Sequence, residues 1–241
     1  MAEFKTATVE QQTEKLLRLF RQLPENPSVG SLPDVVLNRD RDLESFAIPN
    51  IWRNNPALPG RYGENVSVVL DLVREDCRNE GVDFDDVYFQ RRCGTASLRQ
   101  TSEKLESMSR ISKTQGHPDI LVLRARFRPN NTLYSSRTAA MPERKFGQRI
   151  GKHHVLWRLG LFSVGIMLLT YPQRSRIYCG HYTIDCSADS TNEDSTGFIS
   201  NLPYLTSDQG RVDLTLFEPG DCIPYNFEAQ GAFRLCHYTE G

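Results

Sequence analysis

Arg124, Arg126 and Arg128 stand at alternate positions in the run Asp119-Ile-Leu-Val-Leu-Arg-Ala-Arg-Phe-Arg-Pro129. If that run is a strand, the three share one face at intervals of about 6.7 Å, with Leu121, Leu123, Ala125 and Phe127 on the other. Such a row suits carboxylates or phosphates, because each guanidinium presents a planar fork of donors. No glycine-rich loop or helix start accompanies it, so a solvated or salt-bridged sheet face is the competing reading. The row marks where an anion or nucleotide contact would be sought, although no motif calls for a nucleotide and no cofactor is expected. Cys179-Gly-His181, Cys186, Cys222 and Cys236-His237 offer zinc-ligand types. They form no Cys-x-x-Cys pair, and a period of two sets Cys179 and Cys186 on opposite strand faces, so buried thiols and no metal are expected. His153-His154 precedes an apolar run and reads as an exposed turn or edge. Ser, His, Asp and Glu are abundant, but no elbow, box or spacing ties them together, and no catalytic residue is assigned.

The 241 residues suffice for one well-buried core. A formal net charge of −1 gives no bulk attraction to nucleic acid or anionic membrane, so sequence-specific nucleic-acid binding is not expected and polyanion binding would need a local patch. Of the 29 basic residues six are lysine, leaving 23 arginines, a bias that suits fixed, partly buried ion pairs. Met1-Ala-Glu-Phe-Lys has no apolar core of signal-peptide length, and nothing approaches an 18-residue apolar span, so a cytosolic protein without a membrane partner is expected. Six sparse cysteines do not resemble a secreted disulfide framework.

Thr8-Val-Glu-Gln11 is a capping box, and Val9, Leu16, Phe20 and Leu23 form an apolar stripe that stops before Pro24. The spacing predicts an amphipathic helix, followed by a segment punctuated by Pro24, Pro27, Pro33, Pro49, Pro56 and Pro59 that reads as a strap. Its apolar face packs either on its own domain or, as an assembly arm, on a neighbouring subunit. Residues 64–74 match helix and strand templates alike; their valines and alternation favour a strand. Val87-Tyr-Phe-Gln90 reads as the returning strand, and Ser97-Leu-Arg-Gln100 as the opening of a helix carrying Leu98, Leu105, Met108 and Ile111. Val155 to Tyr171, apolar on both faces with Gly160 and Gly165 as bend points, reads as one long central strand or two short ones. Arg176 to Cys186, then Val212, Leu214 and Leu216, then Phe233 and Leu235, supply further strands, and Ser187 to Gly197 a solvated loop. The fold class expected is α+β: an antiparallel β-sandwich, jelly-roll-like, with an N-terminal amphipathic helical arm and one or two further helices. Its parts would be an arm over 1–23, a proline-rich strap over 24–62 and the sandwich over 63–241.

Several short motifs come in a familiar order. Gly63-Glu-Asn-Val-Ser-Val68 resembles the first-strand Gly-Glu-Val-Ser-Val of cypovirus polyhedrins, insect-virus proteins that crystallise into occlusion bodies. The Gly94-Thr-Ala-Ser97 stretch and the following helix keep that order, and Ala140-Met-Pro-Glu143, Gln148-Arg149, His154 and Trp157 are similar to a Val-Pro-Asp, Gln-Arg and His-Pro-Trp segment of the family. Asp119 to Pro129 is similar to an aliphatic baculovirus run ending in Met-Arg-Pro. The resemblance spans roughly residues 60–185 and implies self-assembly into a crystalline matrix that embeds virions in the host-cell cytoplasm and dissolves in alkali. Its partners would be further copies of itself, with virions held by inclusion. Tyr171, Tyr178 and Tyr182 are then candidates for the alkaline switch, since nine Tyr, six Lys and six Cys would shift the net charge by on the order of 20 units between pH 7 and 11. The rival from another class is a small cytosolic enzyme or ligand-binding sandwich with a cleft near His153, His181 and Arg124, and a third is a jelly-roll capsid subunit.

Overall fold

The structure, a computed structural model, describes residues 6–31, 44–53, 61–100, 102–129, 154–157, 159–186, 188–190, 192–193, 199–200, 202–217 and 230–238. His153, Cys222, Ala140-Met-Pro-Glu143 and Gln148-Arg149 lie outside these residues.

The first helix, α1 (Val9–Leu19), begins at the capping box: the Gln11 amide donates to Thr8 Oγ1 and the Thr8 amide to Gln11 Oε1. Strand β1 (Glu44–Pro49) follows. The next segment corrects the sequence expectation, for Tyr62–Asn79 is a helix, α2, and not a strand from Gly63. Val66, Val69, Leu70, Val73 and Cys77 are its buried stripe, at helical spacing. The valines favour a strand by propensity alone, but a continuous apolar stripe packed against a core outweighs that preference. A short strand, β2 (Asp83–Asp85), precedes helix α3 (Val87–Arg92), where a returning strand was expected, and the helical turn α4 (Gly94–Ser97). After β3 (Arg99–Gln100), helix α5 spans Ser102–Thr114, starting later than Ser97. Met108 and Ile111 are buried on it, whereas Leu105 is exposed.

The run at Asp119 forms strand β4 (Ile120–Pro129) as the alternation predicts, with Leu121, Leu123 and Ala125 buried. Val155–Tyr171 is corrected: it holds a short strand, β5 (His154–Trp157), and a helix, α6 (Leu161–Thr170), every residue of which is buried. An apolar run without polar interruption reads alike as a buried strand or a buried helix, because periodicity disappears when all faces are covered. Gly165 is the contact point of α6 with α2: a Cβ there would run into Val69 Cγ1, so glycine lets the two backbones approach. Helix α7 (Arg174–Tyr178) replaces the first half of the strand expected from Arg176, and β6 (Tyr182–Asp185) supplies the rest.

Strands β7 (Asp189–Ser190), β8 (Asn192–Glu193) and β9 (Ile199–Ser200) are short. The chain continues through β10 (Leu202–Asp208), β11 (Arg211–Phe217) and β12 (Gln230–Tyr238). Val212, Leu214 and Leu216 are buried in β11, as their alternation requires. The principal sheet runs β1-β4-β12-β6-β10-β11-β2, with β5 also paired to β12. The class is therefore α+β. Two pairings, β11 with β2 and β12 with β6, are parallel, so the sheet is mixed rather than wholly antiparallel. Helices line the sheet's apolar face: the Tyr171 ring at the end of α6 stacks on Phe46 of β1, and the core joins α2 and α6 to β1 and β4. Among the described residues no second large sheet packs on that face, where a sandwich would place one.

Helix α1 also belongs to this core. Leu16, Phe20 and Leu23 are buried and Val9 is partly buried against it, so of the two placements its stripe allows, the chain adopts packing on itself.

Candidate functional site

Strand β4 lies between β1 and β12, and this position decides what surrounds the arginine row. Ser45 of β1 pairs with Arg124, and the Arg124 guanidinium reaches Ser45 Oγ at 3.5 Å while half-buried. Across the other edge, Arg126 stands opposite Arg234 and Arg128 opposite Ala232. Arg124, Arg126 and Arg128 thus stand at alternate positions of β4, and Arg234 is the cross-strand partner of Arg126 in the register. Arg234 was not legible as a member of this group, since 106 to 110 residues of chain separate it from the row and only the strand pairing joins them.

The tyrosines fall differently. Tyr171 is fully buried with its ring centroid 6.2 Å from that of Phe46, and burial, then the charge of Glu44, pushes its hydroxyl above the usual phenol range. Tyr178 is buried and donates to Asp76 Oδ2 at 3.2 Å; burial first, then Cys77 and Asp76, push it upward. Tyr182 is partly buried against the core. Two of the three candidate switch residues are thus interior groups of one subunit.

Tyr178 belongs to a polar cluster joining three helices. Arg174 of α7 donates from Nε to Asp76 Oδ2 at 2.6 Å and from Nη2 to Glu80 Oε1 at 3.1 Å, both acceptors lying toward the C-terminal end of α2. Burial, reinforced by the Asp76 charge, raises the Cys77 thiol to about 12. On α1, burial and then the Arg174 charge lower Lys15. The arrangement is an ion-pair clasp between helices.

Asp189 is a fully buried carboxylate. It accepts from Tyr62 at 2.8 Å and 2.9 Å, one bond to each oxygen, and from the Leu161 amide at 2.7 Å. Asp189 thereby caps α6 from 28 residues away, a task its own N-cap residue Gly160 cannot perform. A Cβ on Gly160 would collide with the Asp189 carboxylate, so glycine makes room for this cap. Burial, then the Asp189 charge, raises Tyr62 well above its ordinary value. Sequence reading placed Asp189 in a solvated loop; its partner Tyr62 is 127 residues distant, and no local pattern announces the pair.

A serine–histidine contact also emerges: Ser112 Oγ lies 3.1 Å from His117 Nδ1 and accepts from Asn50 Nδ2 at 2.8 Å. Ser112 is fully buried, so the contact ties the α5–β4 turn to β1 and offers no reachable nucleophile. Of the rival cleft residues, His181 forms an exposed pair with Asp208 at 2.8 Å and Arg124 adjoins Ser45. Cys179 is exposed and Cys186 buried. Among the described residues, no three His, Cys, Asp or Glu side chains are placed to hold a metal, and no helix is long and apolar enough to cross a membrane.

Two glutamines complete the sheet where strands do not. The Gln12 amide donates to Ser45 O and accepts from the Ala47 amide, both at 2.8 Å, pairing with the outer edge of β1 as a strand would. Gln115 repeats the device on β4, donating to Val122 O at 2.7 Å and accepting from Val122 N at 3.0 Å, where β12 has not yet begun to pair. Such groups satisfy backbone that burial would otherwise leave unpaired and blunt an edge that could recruit another chain.

The chain matches no protein-family model. Neither the curated proteins nor the solved structures contain a significant match to it.

Proposed function

We propose that this protein is a structural one that assembles with copies of itself into a crystalline matrix, in the manner of insect-virus polyhedrins, enclosing virions in the host-cell cytoplasm and releasing them in alkali. No catalytic residue is assigned. The observation that carries the reading is the seat of α1: the helix covers an edge strand, and it is joined to that strand by the proline-punctuated stretch from Pro24 to Glu44. The same contacts, made by the helix of a neighbouring copy, would link subunits without any new surface. The collinear motifs add support, with the exception of Gly63–Val68, which is helical where the resembling polyhedrin segment is a strand. The finer fold this family implies, a jelly-roll-like sandwich, belongs to the proposal and not to the α+β architecture described above.

Light microscopy of expressing cells, with size-exclusion chromatography of the extracted protein, tests the reading. Refractile intracellular bodies that dissolve above about pH 10, where phenols and amines lose protons, are the expected result. A chain that stays monomeric at high concentration and gains thermal stability from a small ligand would replace assembly with ligand binding.

A further inference from the structure

A buried hydrogen-bond donor is left over at the junction of α2, α6 and the β3–β7 pair. Gln100 of β3 accepts the Trp52 indole N–H on Oε1 at 2.6 Å. An indole nitrogen can only donate, so the Gln100 amide cannot be turned round, and Nε2 is its other end. Nε2 is buried and, among the described residues, has no hydrogen-bond partner. Directly opposite Gln100 in the antiparallel β3–β7 pairing stands Asp189, whose side chain is fully buried. Residues opposed in this way carry their Cβ atoms about 4.5–5.5 Å apart on one face of the ribbon. The walls of the junction follow from two further contacts. Trp52 packs edge-on against Phe162 of α6 with ring centroids 5.9 Å apart, and Tyr62 of α2 donates to the Asp189 carboxylate at 2.8 Å. A buried donor left unpaired in such surroundings forfeits the hydrogen bonds it made to solvent before folding, so a partner is required there.

We propose that Gln100 Nε2 and the Asp189 carboxylate hold a buried water between them. The two groups set the chemistry of whatever joins them, which must accept from an amide and donate to a carboxylate. A bare anion would be repelled by Asp189, and a bare cation by the amide hydrogens. A hydroxyl meets both demands, and water is the smallest molecule that carries one. The side chains do not close the contact themselves, since Nε2 makes no direct bond to the carboxylate opposite it. A bridging water completes such a contact at nearly the enthalpy of a direct bond. It also extends the reach of Asp189, which already joins Tyr62 of α2 to the Leu161 amide of α6. Through the water and Gln100 the same carboxylate is linked to β3 and, by the Oε1 contact, to Trp52 beyond the end of β1. The site serves the fold of one subunit and does not depend on assembly.

Water–protein cross-peaks in NOESY and ROESY spectra of the isotope-labelled full chain test this, in buffer free of alcohols and polyols. The Gln100 side-chain amide protons are expected to show water cross-peaks of opposite sign in the two experiments, the mark of a water that stays bound rather than passing by. Tyr62→Phe is expected to keep these peaks, which separates a held water from proton exchange through the Tyr62 hydroxyl. Magnetic relaxation dispersion of the water oxygen nucleus gives a second reading that needs no assignment. Its amplitude is expected to fall by about one long-lived water in Gln100→Met, which keeps the length of the side chain and removes the amide. Circular dichroism checks that both variants fold, and if Gln100→Met does not, the cross-peaks of the parent chain decide alone. Absence of the amide–water peaks in the parent, their loss in folded Tyr62→Phe, or an unchanged dispersion amplitude in folded Gln100→Met would overturn the proposal. Cross-peaks from the Gln100 amide to the C–H protons of a bound alcohol would overturn it as well, by placing another hydroxyl in the site.

Discussion

The side-chain amide of Gln12 stands beside Ala47 as though it were the backbone of a further strand, accepting the Ala47 N–H at 2.8 Å and donating to Ser45 O. A helix residue has thereby become the last member of a β-sheet. The same side chain also donates to Ala7 O, so it fixes the entry to α1 and the edge of β1 together.

Replacing Gln12 by leucine keeps the volume and removes both edge bonds. The buried Ala47 N–H is then left without a partner, at about 1–3 kcal/mol, and the part-buried Ser45 carbonyl loses its bond at a smaller cost. The urea midpoint is expected to fall at unchanged slope, and light scattering to rise as the edge of β1 becomes available. A variant as stable and as dispersed as the parent would show that Gln12 does not seal the edge.

Gly165 and Val69 test the approach of α6 to α2. Gly165→Ala gains helix propensity but drives a methyl group into Val69, so a net loss of roughly 1–3 kcal/mol is expected from overpacking. Val69→Ala in the same chain should return part of that loss. The informative quantity is the coupling energy of the double-mutant cycle, expected near 1 kcal/mol or more for residues in contact. Additive losses would place the two side chains out of contact.

Asp189 holds the start of α6 and Tyr62 together. Asp189→Ala removes the cap and strands the Tyr62 hydroxyl, with about 2–4 kcal/mol lost, while Tyr62→Phe costs about 1–2 kcal/mol because the carboxylate retains the Leu161 amide. Thermal unfolding of both single variants and the double would show less than additive losses. Equal, small effects from the two single substitutions would contradict the capping role.

Alkali should act on the fold itself. Tyr171, Tyr178 and Tyr62 are raised in the folded chain above the ordinary phenol value of 10.0, and Cys77 is raised from 9.0 to about 12. Each is neutral when protonated, so above its unfolded value the unfolded chain releases a proton that the folded chain retains. Stability is intact below about pH 9 and falls above it, first through Cys77 and then beyond pH 10 through the tyrosines, by up to about 1.4 kcal/mol per pH unit for each group. Tyr171→Phe keeps the stacking on Phe46 and deletes one such proton, so its stability should decline less steeply above pH 10. An unaltered slope would remove Tyr171 from the alkaline response.

What was legible locally proved to be what local physics controls. Thr8 and Gln11 announce α1 because a capping box is closed within four residues, and Leu121, Leu123 and Ala125 announce β4 by their alternation with the arginines, although Ile120 and Val122 on the alternate positions are buried as well. Tyr62–Asn79 was ambiguous because its valines favour one geometry and its stripe another, and burial of the stripe decided for the helix. Leu161–Thr170 reads as strand from its sequence and folds as a helix, since a segment buried on every side shows no period to tell the two apart.

The chain by itself determined the arginine row, the amphipathic first helix, its proline-rich connection and the near-zero net charge. Only the tertiary structure decided that Arg234 stands opposite Arg126, that Gln12 closes the sheet, that Asp189 caps a distant helix and that Tyr171 and Tyr178 are interior groups. Each of these is a contact between residues far apart in sequence. Its energy comes from desolvation and strand pairing, which exist only once the remote segments meet, and so it leaves no local trace in the order of residues.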